Sequence, residues 1–266
     1  LMKWVTYLEA GREGLAEMMR EDKTVWALGE DLGRGGVFGQ YHGLQAEFGN
    51  ERIVDTPISE SCILGSAVGA AMMGTRPIVE MRFADFALCA VDELVNQAAK
   101  ARYMFGGQAR VPMVVREPSG MWRSSAAQHS QSLESWYAHI PGLVVVMPST
   151  PADNKTLLME SIQCDDPVVY LEHKSLWDLE GPVDDNAEIL PIGKARIANS
   201  GSDVTIVSWS AMFHTSMEAA EGLAAKGVNG EVIDLRTLWP WDKKTVYKSV
   251  HKTGHLVVVH EAVQVG

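Results

Sequence analysis

The stretch Asp55-Thr56-Pro57-Ile58-Ser59-Glu60 runs directly into Ser61-Cys62-Ile63-Leu64-Gly65-Ser66-Ala67-Val68-Gly69-Ala70-Ala71-Met72-Met73-Gly74. The second part has no charged side chain, which predicts a helix buried nearly all round. Pro57 suits a first helical turn, and Thr56 or Ser59 is a candidate N-cap. Glu60 is therefore predicted at the positive end of the helix dipole, at the rim of a core. A lone glutamate more often caps or pairs locally than carries chemistry, so the rest of the chain decides its role.

Short β-rich runs alternate with helical stretches, which is typical of a parallel sheet covered by helices on both faces. Strands are predicted over residues 24–28, 77–81, 113–116, 143–147 and 168–172, and again over 204–209, 231–235 and 256–260. The acidic, irregular stretch 181–202 is the best candidate for a linker. We therefore predict an α/β fold with a first unit over 1–180, a linker over 181–202, and a second, apparently truncated α/β unit over 203–266.

Composition limits the classes of function. The formal net charge of −11 over 266 residues argues against a nucleic-acid surface, which needs basic patches. No apolar run approaches the roughly 18 residues that span a bilayer. Cys62, Cys89 and Cys164 are widely separated, which predicts small core residues in a reducing compartment rather than a disulfide or zinc site.

Five spaced blocks of sequence, in a fixed order, cover nearly the whole chain. They are Gly29-Glu30-Asp31 with Gly35-Gly36-Val37-Phe38; Asp55 to Glu60; Arg76-Pro77-Ile78-Val79-Glu80 with Phe83-Ala84-Asp85-Phe86; Gln128-His129-Ser130-Gln131-Ser132; and His139-Ile140-Pro141-Gly142-Leu143 through Pro148-Ser149-Thr150-Pro151. Together they resemble the β subunit of the first, thiamin-diphosphate-dependent component of the 2-oxo acid dehydrogenase complexes, a family that includes pyruvate, branched-chain 2-oxo acid and acetoin dehydrogenases. The resemblance implies a pyrimidine-binding domain followed by a transketolase C-terminal-like domain.

The resemblance also implies which residues form the site. Glu60 would hydrogen-bond the aminopyrimidine ring of the cofactor and share a proton with it, which favours the imino tautomer that activates the thiazolium carbon. Phe86 would lie against the same ring, where stacking contributes on the order of 1 kcal/mol. His129 would face the reactive carbon, position the substrate and relay protons. Ile58 and Cys89 would complete the cofactor contacts.

Each of these residues also has a simpler interpretation. A single histidine is more often a hydrogen-bonded loop residue than a catalyst, and a single phenylalanine is usually core filler. The resemblance further implies a structural potassium ion held by main-chain carbonyls, which leave no side-chain signature. The carbonyls map to Met113, Ser161, Ile162, Cys164 and Asp166.

One expected element is absent from the sequence. Thiamin-diphosphate enzymes usually hold the diphosphate through a divalent metal and a Gly-Asp-Gly segment, and no such segment occurs here. The closest run, Gly33-Arg34-Gly35-Gly36-Val37-Phe38-Gly39, fits neither the dinucleotide fingerprint nor the P-loop and predicts a flexible loop. The resemblance implies that an α subunit supplies the magnesium and diphosphate site, with the cofactor lying across the α/β interface.

The predicted function is therefore that of a β subunit in an α2β2 assembly. The assembly would decarboxylate a small 2-oxo acid and transfer the acyl group to a lipoyl group of an acyltransferase core. Acetoin cleavage is the close alternative, and a transketolase-like transfer is less favoured because that family carries both cofactor halves on one chain. A noncatalytic subunit of the same fold is a third possibility, against which Glu60 and His129 argue. The predicted location is the cytoplasm, or the mitochondrial matrix if a targeting segment has been removed.

Overall fold

The computed structural model describes residues 2–187 and 189–264. The strands are β1 (Met2–Thr6), β2 (Val25–Gly29), β3 (Ile53–Asp55), β4 (Arg76–Glu80), β5 (Val114–Ser119), β6 (Val144–Val146), β7 (Val168–His173), β8 (Glu180–Asp184), β9 (Arg196–Asn199), β10 (Val204–Ser208), β11 (Gly230–Asp234), β12 (Thr237–Trp239) and β13 (Leu256–Val259). The helices are α1 (Tyr7–Glu21), α2 (Leu44–Phe48), α3 (Glu60–Met72), α4 (Ala84–Ala87), α5 (Ala99–Met104), α6 (Glu134–Ala138), α7 (Pro151–Gln163), α8 (Ser210–Ala224) and α9 (Lys243–Thr253). A π-helical segment, Asp92–Ala98, leads into α5.

The largest sheet of the described residues has seven strands in the order β12-β6-β7-β5-β4-β2-β3. Strands β2 to β7 pair in parallel, and only β12 runs antiparallel. Every residue of β5 and β7 is buried, because helices cover both faces of a parallel sheet. The predicted α/β fold with a parallel sheet is confirmed.

Neighbouring side chains of each strand supply two separate cores. Ile78 belongs to the core under α1 and α7, whereas Val79 belongs to the core under α3 and α5. This division follows from the two-residue period of a strand, which turns successive side chains to opposite faces. Packing on both faces therefore holds the sheet in place. The sheet in turn positions the loops at its carboxyl and amino edges.

The second unit forms a four-stranded sheet in the order β13-β10-β11-β9. The stretch 181–202, predicted as an irregular linker, carries most of β8 and all of β9, so the prediction of irregular structure was wrong. β8 pairs with β1, and β9 pairs with β11. The Gly-Pro pair and the paired aspartates are typical of a loop, so β8 was not predicted. Its residues nevertheless alternate between exposed and buried, as in a strand. The division of the chain at 181–202 stays a prediction.

Helix α3 differs from its predicted form. It begins at Glu60, after Ser59, whose side chain makes no capping hydrogen bond, so Pro57 precedes the helix. Its inner face is buried, but Cys62, Ser66 and Gly69 on the other face are exposed. The prediction of a helix buried nearly all round was wrong, because a helix face without charged residues can still be exposed within the chain. Sequence does not reveal whether the chain itself covers that face.

The cysteines were also placed wrongly. Cys62 and Cys89 are exposed, Cys164 is half-buried, and all three are free thiols. Cys62 lies on the outer face of α3, which explains the error, since its helix was taken to be enclosed. Within 2–187 and 189–264, no helix is long and apolar enough to cross a membrane.

Candidate active site

The predicted site residues lie at the carboxyl edge of the large sheet. Glu60 begins α3 directly after the short connection from β3, and Phe86 lies in α4 after β4. His129 lies in the loop that follows β5. In parallel α/β sheets, loops at the carboxyl ends of neighbouring strands gather into one site. The fold therefore brings these three residues to one edge.

Two of the predicted residues are in ring contact. The Phe86 ring and the His129 imidazole have centroids 5.3 Å apart and planes at 77°. Phe83 touches both, at 5.3 Å from Phe86 and 4.7 Å from His129. The edge-to-face arrangement is favourable for aromatic rings. In the described part of the chain, nothing hydrogen-bonds the imidazole, so its two nitrogens are available to a ligand.

Glu60 joins this cluster through the neighbouring backbone. The Ser61 hydroxyl donates a hydrogen bond of 2.8 Å to the carbonyl of Cys89, which ties the start of α3 to the turn after Phe86. The Glu60 carboxylate is half-buried and makes no hydrogen bond or ion pair to any residue that the structure describes. Ile58 beside it is 75% exposed. Glu60 thus presents a free carboxyl group at an open, partly apolar surface.

A second glutamate lies within electrostatic reach. Burial raises the pKa of Glu30, and the negative charge of Glu60 raises it further, against the opposing effect of Arg82. Arg82 lies 3.3 Å from the Glu30 carboxylate and 3.1 Å from that of Asp31. The carboxyl edge therefore concentrates acidic groups beside the aromatic cluster.

The glycine-containing run 33–39 is held more firmly than predicted. The amide of Gly36 donates to the Asp31 carbonyl at 3.0 Å, and the amide of Tyr41 donates to the Gly35 carbonyl at 2.8 Å. Phe38 reaches into the aromatic cluster and packs on Phe83, with centroids 5.8 Å apart. The run is thus a tied loop that supplies one more ring to the site.

Lys174 is a residue that sequence reasoning missed. It follows β7, is only 1% exposed, and places its ammonium 5.3 Å from the centre of the Phe83 ring. Its Nζ has no hydrogen-bond partner among the described residues. Burial lowers the pKa of Lys174 to about 8, although Asp85 and Glu261 oppose that shift. The sequence does not indicate that a lysine directly after a strand will have a buried ammonium group.

The predicted potassium ligands lie at the opposite, amino edge of the sheet. The carbonyls of Ile162 and Cys164 both accept hydrogen bonds of 3.0 Å from the guanidinium of Arg76. The Met113 carbonyl accepts from the Val168 amide at 2.9 Å. These carbonyls thus already have donors within the chain, and the potassium site stays a prediction.

A cavity of about 990 Å³ also lies at the amino edge, lined by apolar residues that include Val111, Leu143 and Trp239. It contains none of the predicted catalytic residues. The position of the site is therefore defined by the chemistry of the side chains rather than by the size of a cavity.

Residues 3–178 match the family model of the transketolase pyrimidine-binding domain, and residues 193–266 match that of the transketolase C-terminal domain. A solved split-gene transketolase, described as an inactive beta4 tetramer, superposes with a TM-score of 0.83 at 22% identity, over 98% of this chain and 81% of that one. The fold is accordingly that of the transketolase class.

Curated relatives narrow the class. The chain is 48% identical to the β subunit of acetoin:2,6-dichlorophenolindophenol oxidoreductase from Cupriavidus necator, over 94% of this chain and 77% of that protein. It is 44% identical to the β subunit of 2-oxoisovalerate dehydrogenase from Bacillus subtilis, over 100% and 82%. It is 48% identical to the β subunit of pyruvate dehydrogenase E1 from Rhizobium meliloti, over 98% and 57%. The chain belongs to this family of thiamin-diphosphate-dependent dehydrogenase β subunits, and the predicted family is confirmed.

The family implies thiamin diphosphate as the cofactor. The residues at the carboxyl edge fit its aminopyrimidine half, because Glu60 offers a carboxyl group without a partner and Phe86 offers a half-buried ring. Both features suit a flat, hydrogen-bonding heterocycle.

Proposed function

We propose that this chain supplies the pyrimidine half of a thiamin diphosphate site shared with an α subunit. The complete assembly decarboxylates a small 2-oxo acid and transfers the acyl group to a lipoyl group on an acyltransferase core. The observation that supports this most directly is the Phe86–His129 ring contact at the same sheet edge as the unpartnered Glu60. No local capping or pairing role accounts for Glu60, since it makes no such contact in the described ranges.

In this proposal Glu60 hydrogen-bonds the aminopyrimidine ring and shares a proton with its nitrogen. Phe86 stacks against that ring, which contributes on the order of 1 kcal/mol. Ile58 and Cys89, both exposed beside Glu60, complete the contacts. Thiamin diphosphate, when bound, supplies the carbon nucleophile that attacks the 2-oxo group.

His129 is the proposed acid–base group. An imidazole can accept a proton at one nitrogen while donating from the other, so it can serve both decarboxylation and acyl transfer. The edge contacts with Phe83 and Phe86 fix the plane of the ring without using either nitrogen. Both nitrogens therefore stay available to the substrate.

The outer surface of α3, which begins with Glu60, supports a partner subunit, and its exposed methionines lie at the other end of the helix, toward the amino edge of the sheet. Met73 is 85% exposed, Met72 is 44% exposed, and a Cβ on Gly69 would meet no atom within 4 Å. The neighbouring helix exposes Tyr103 and Met104 at 87% and 72%. Apolar surface of this extent is typical of a protein interface. We assign it to the α subunit, which would bring the magnesium and diphosphate site, in an α2β2 assembly.

The test is co-expression with an α subunit, followed by measurement of cofactor binding and of decarboxylation. The wild-type pair is expected to bind thiamin diphosphate and to turn over. Glu60→Ala is expected to leave a folded pair whose turnover falls at least about 100-fold, the scale of a lost acid–base contact. Glu51→Ala, at an exposed position, is the matched control.

Two results would contradict the proposal. One is full turnover in the Glu60→Ala pair, which would remove the role of that carboxyl group. The other is a correctly assembled wild-type pair that binds no cofactor, which would leave the chain as a noncatalytic subunit.

Acetoin is the alternative substrate, since the chain is 48% identical both to an acetoin oxidoreductase β subunit and to a pyruvate dehydrogenase β subunit. Relative kcat/KM values for pyruvate, 2-oxoisovalerate and acetoin, measured on the same assembled pair, would decide between them. A preference for acetoin of tenfold or more would reassign the substrate without changing the roles of Glu60 and His129.

A further inference from the structure

The loop that carries His129 is closed at its base by a carboxylate from the second unit. One oxygen of Glu261, Oε1, accepts a hydrogen bond of 2.8 Å from the Met121 amide. The same oxygen accepts a hydrogen bond of 3.0 Å from the Ser132 hydroxyl. Met121 and Ser132 are the two ends of the loop. A single carboxylate oxygen therefore joins both ends, with His129 between them.

The other oxygen of Glu261 is anchored separately. Oε2 lies 3.1 Å from Nε2 of His173, the last residue of β7. The second ring nitrogen of His173 is 2.8 Å from the Ser175 hydroxyl. Burial by itself raises the pKa of Glu261, but the hydrogen bonds from His173, Met121 and Ser132 overcome this and hold the pKa at about 2. The carboxylate is ionised at neutral pH.

The contact between His173 and Glu261 needs a residue without a side chain at position 120. Its φ is +79°, and a Cβ placed there would lie 2.1 Å from Nε2 of His173 and 2.9 Å from Oε1 of Glu261. Any side chain at this position would therefore collide with the contact between the two residues. The Gly120 amide also donates to the Gln131 carbonyl at 3.1 Å, which closes the base of the loop a second time.

The end of the loop beside Ser132 is also held from within the first unit. Nε2 of Gln131 donates to the Asp85 carboxylate at 2.9 Å, and Asp85 immediately precedes Phe86. His129 therefore lies in a loop that is bound by two carboxylates, that of Asp85 on α4 and that of Glu261 after β13. The backbone of the loop is strained, since Arg123, Ser124 and Ala126 have φ of 46°, 56° and 64°. The contacts at the base of the loop hold this strained conformation in place.

We propose that Glu261 is a positioning residue for His129. By binding both ends of the 121–132 loop, it fixes the imidazole against Phe86 and couples the second unit to the active site. The inference rests on the proposed role of His129. Glu261 acts through the loop, so its loss is expected to lower kcat while leaving KM and cofactor affinity within about threefold.

The experiment uses the chain assembled with its α subunit and has two readouts. Hydrogen exchange of peptides covering 121–132 measures the loop directly, and steady-state kinetics measure its effect. Glu261→Ala removes three charge-assisted contacts, and each such hydrogen bond is worth roughly tenfold or more. We expect exchange in 121–132 to accelerate at least about tenfold and kcat to fall about ten- to a hundredfold.

Two further variants separate positioning from general damage. Glu261→Gln retains an oxygen acceptor for the loop, so smaller changes in both readouts are expected. Ser132→Ala removes one contact and keeps the carboxylate, and about a threefold acceleration of exchange is expected. Glu218→Ala, an exposed glutamate on α8, is the control and is expected to change neither readout. If Glu261→Ala does not fold, the other two variants carry the test.

Unchanged exchange in 121–132 for Glu261→Ala, or for both milder variants, would overturn the inference even in an active enzyme. Faster exchange with wild-type kcat would overturn the coupling to His129. A failure of the proposed function is distinguishable, because it appears as an inactive wild-type pair whatever the exchange of the loop.

Discussion

The ring of Phe86 meets the imidazole of His129 edge to face, with centroids 5.3 Å apart. The two residues come from different loops, one after β4 and one after β5. Their contact therefore depends on the register of the two strands, in which Glu80 of β4 lies opposite Arg116 of β5. The proposed site at this edge therefore depends on the strand register of the sheet below it.

Replacement of His129 is expected to impair turnover more than binding. His129→Ala removes the proton-transferring group but leaves Phe86 and Glu60, so kcat is expected to fall at least about 100-fold. The dissociation constant of thiamin diphosphate is expected to change less than about fivefold. Steady-state kinetics and a cofactor titration measure both, with exposed His139→Ala as control. The reverse pattern would make His129 a cofactor-binding residue.

Glu80 makes stability depend on pH. Burial raises the pKa of Glu80 to about 7, although Arg116, 3.8 Å away, opposes the shift. Because the folded-state pKa is raised, the protonated form is favoured on folding. The contribution of Glu80 is fully present below its unfolded pKa of about 4.3, and it is lost as the pH rises through about 7.

Glu80→Gln keeps the side-chain oxygen that accepts from Gln40 but cannot ionise. The free energy of unfolding of the variant, relative to wild type, is expected to increase by about 1–3 kcal/mol between pH 5 and pH 8. Urea unfolding at the two pH values measures it, with exposed Glu51→Gln as control. An equal difference at both pH values would contradict the assignment.

Lys174 is expected to cost stability at neutral pH. Its ammonium is buried against Phe83 without a hydrogen-bond partner in the described ranges, and its pKa is lowered to about 8. The pKa of Lys174 is lower in the folded state than in the unfolded chain. Below about pH 10 the unfolded chain therefore binds the proton more tightly, which lowers the free energy of unfolding. Lys174→Met is therefore expected to stabilise the protein by about 1–3 kcal/mol at pH 7.

The advantage of Lys174→Met is expected to shrink at pH 10, because the buried lysine, with its folded-state pKa of about 8, has then lost its charge. Thermal unfolding at pH 7 and pH 10 shows both effects. Lys244→Met, at an exposed position, is the control and is expected to change the midpoint little. Destabilisation at pH 7 would mean that the ammonium has a partner, such as a buried water.

Gly120 and Gly43 form a matched pair. Both have positive φ, +79° and +81°, but a Cβ on Gly43 would meet nothing within 4 Å. Gly43→Ala therefore pays only for the left-handed backbone, about 1 kcal/mol. Gly120→Ala adds the collision with His173, and a loss of about 3 kcal/mol or more is expected. Chemical unfolding of both variants measures the difference, and equal losses would refute the close contact.

Sequence reasoning located the strands of the large sheet because buried parallel strands are continuous apolar runs. Val114, Val115, Val168 and Val169 are examples, all of them buried. It missed the short β3 and the edge strand β12, each of three residues, whereas the equally short β6 was predicted within the longer apolar run 143–147.

The site was predicted in part. Glu60 and His129 were assigned through the family resemblance, because a lone glutamate or a lone histidine has a simpler interpretation when the residues are considered alone. Glu261 and Lys174 were not, because their roles arise from contacts made only after distant segments fold together. No spacing in the sequence encodes a contact between residue 261 and both ends of a loop at 121 and 132.

Strand β12 has a practical consequence for anyone who would dissect this protein. It comes from the second unit, yet it pairs with β6 at the rim of the first unit's sheet. A fragment ending near residue 202 would lay bare the backbone of β6, and an open strand of this kind templates aggregation. The two halves of the gene are thus not two independent folding modules, and recombining them between homologues has to carry residues 237–239 along with the first half.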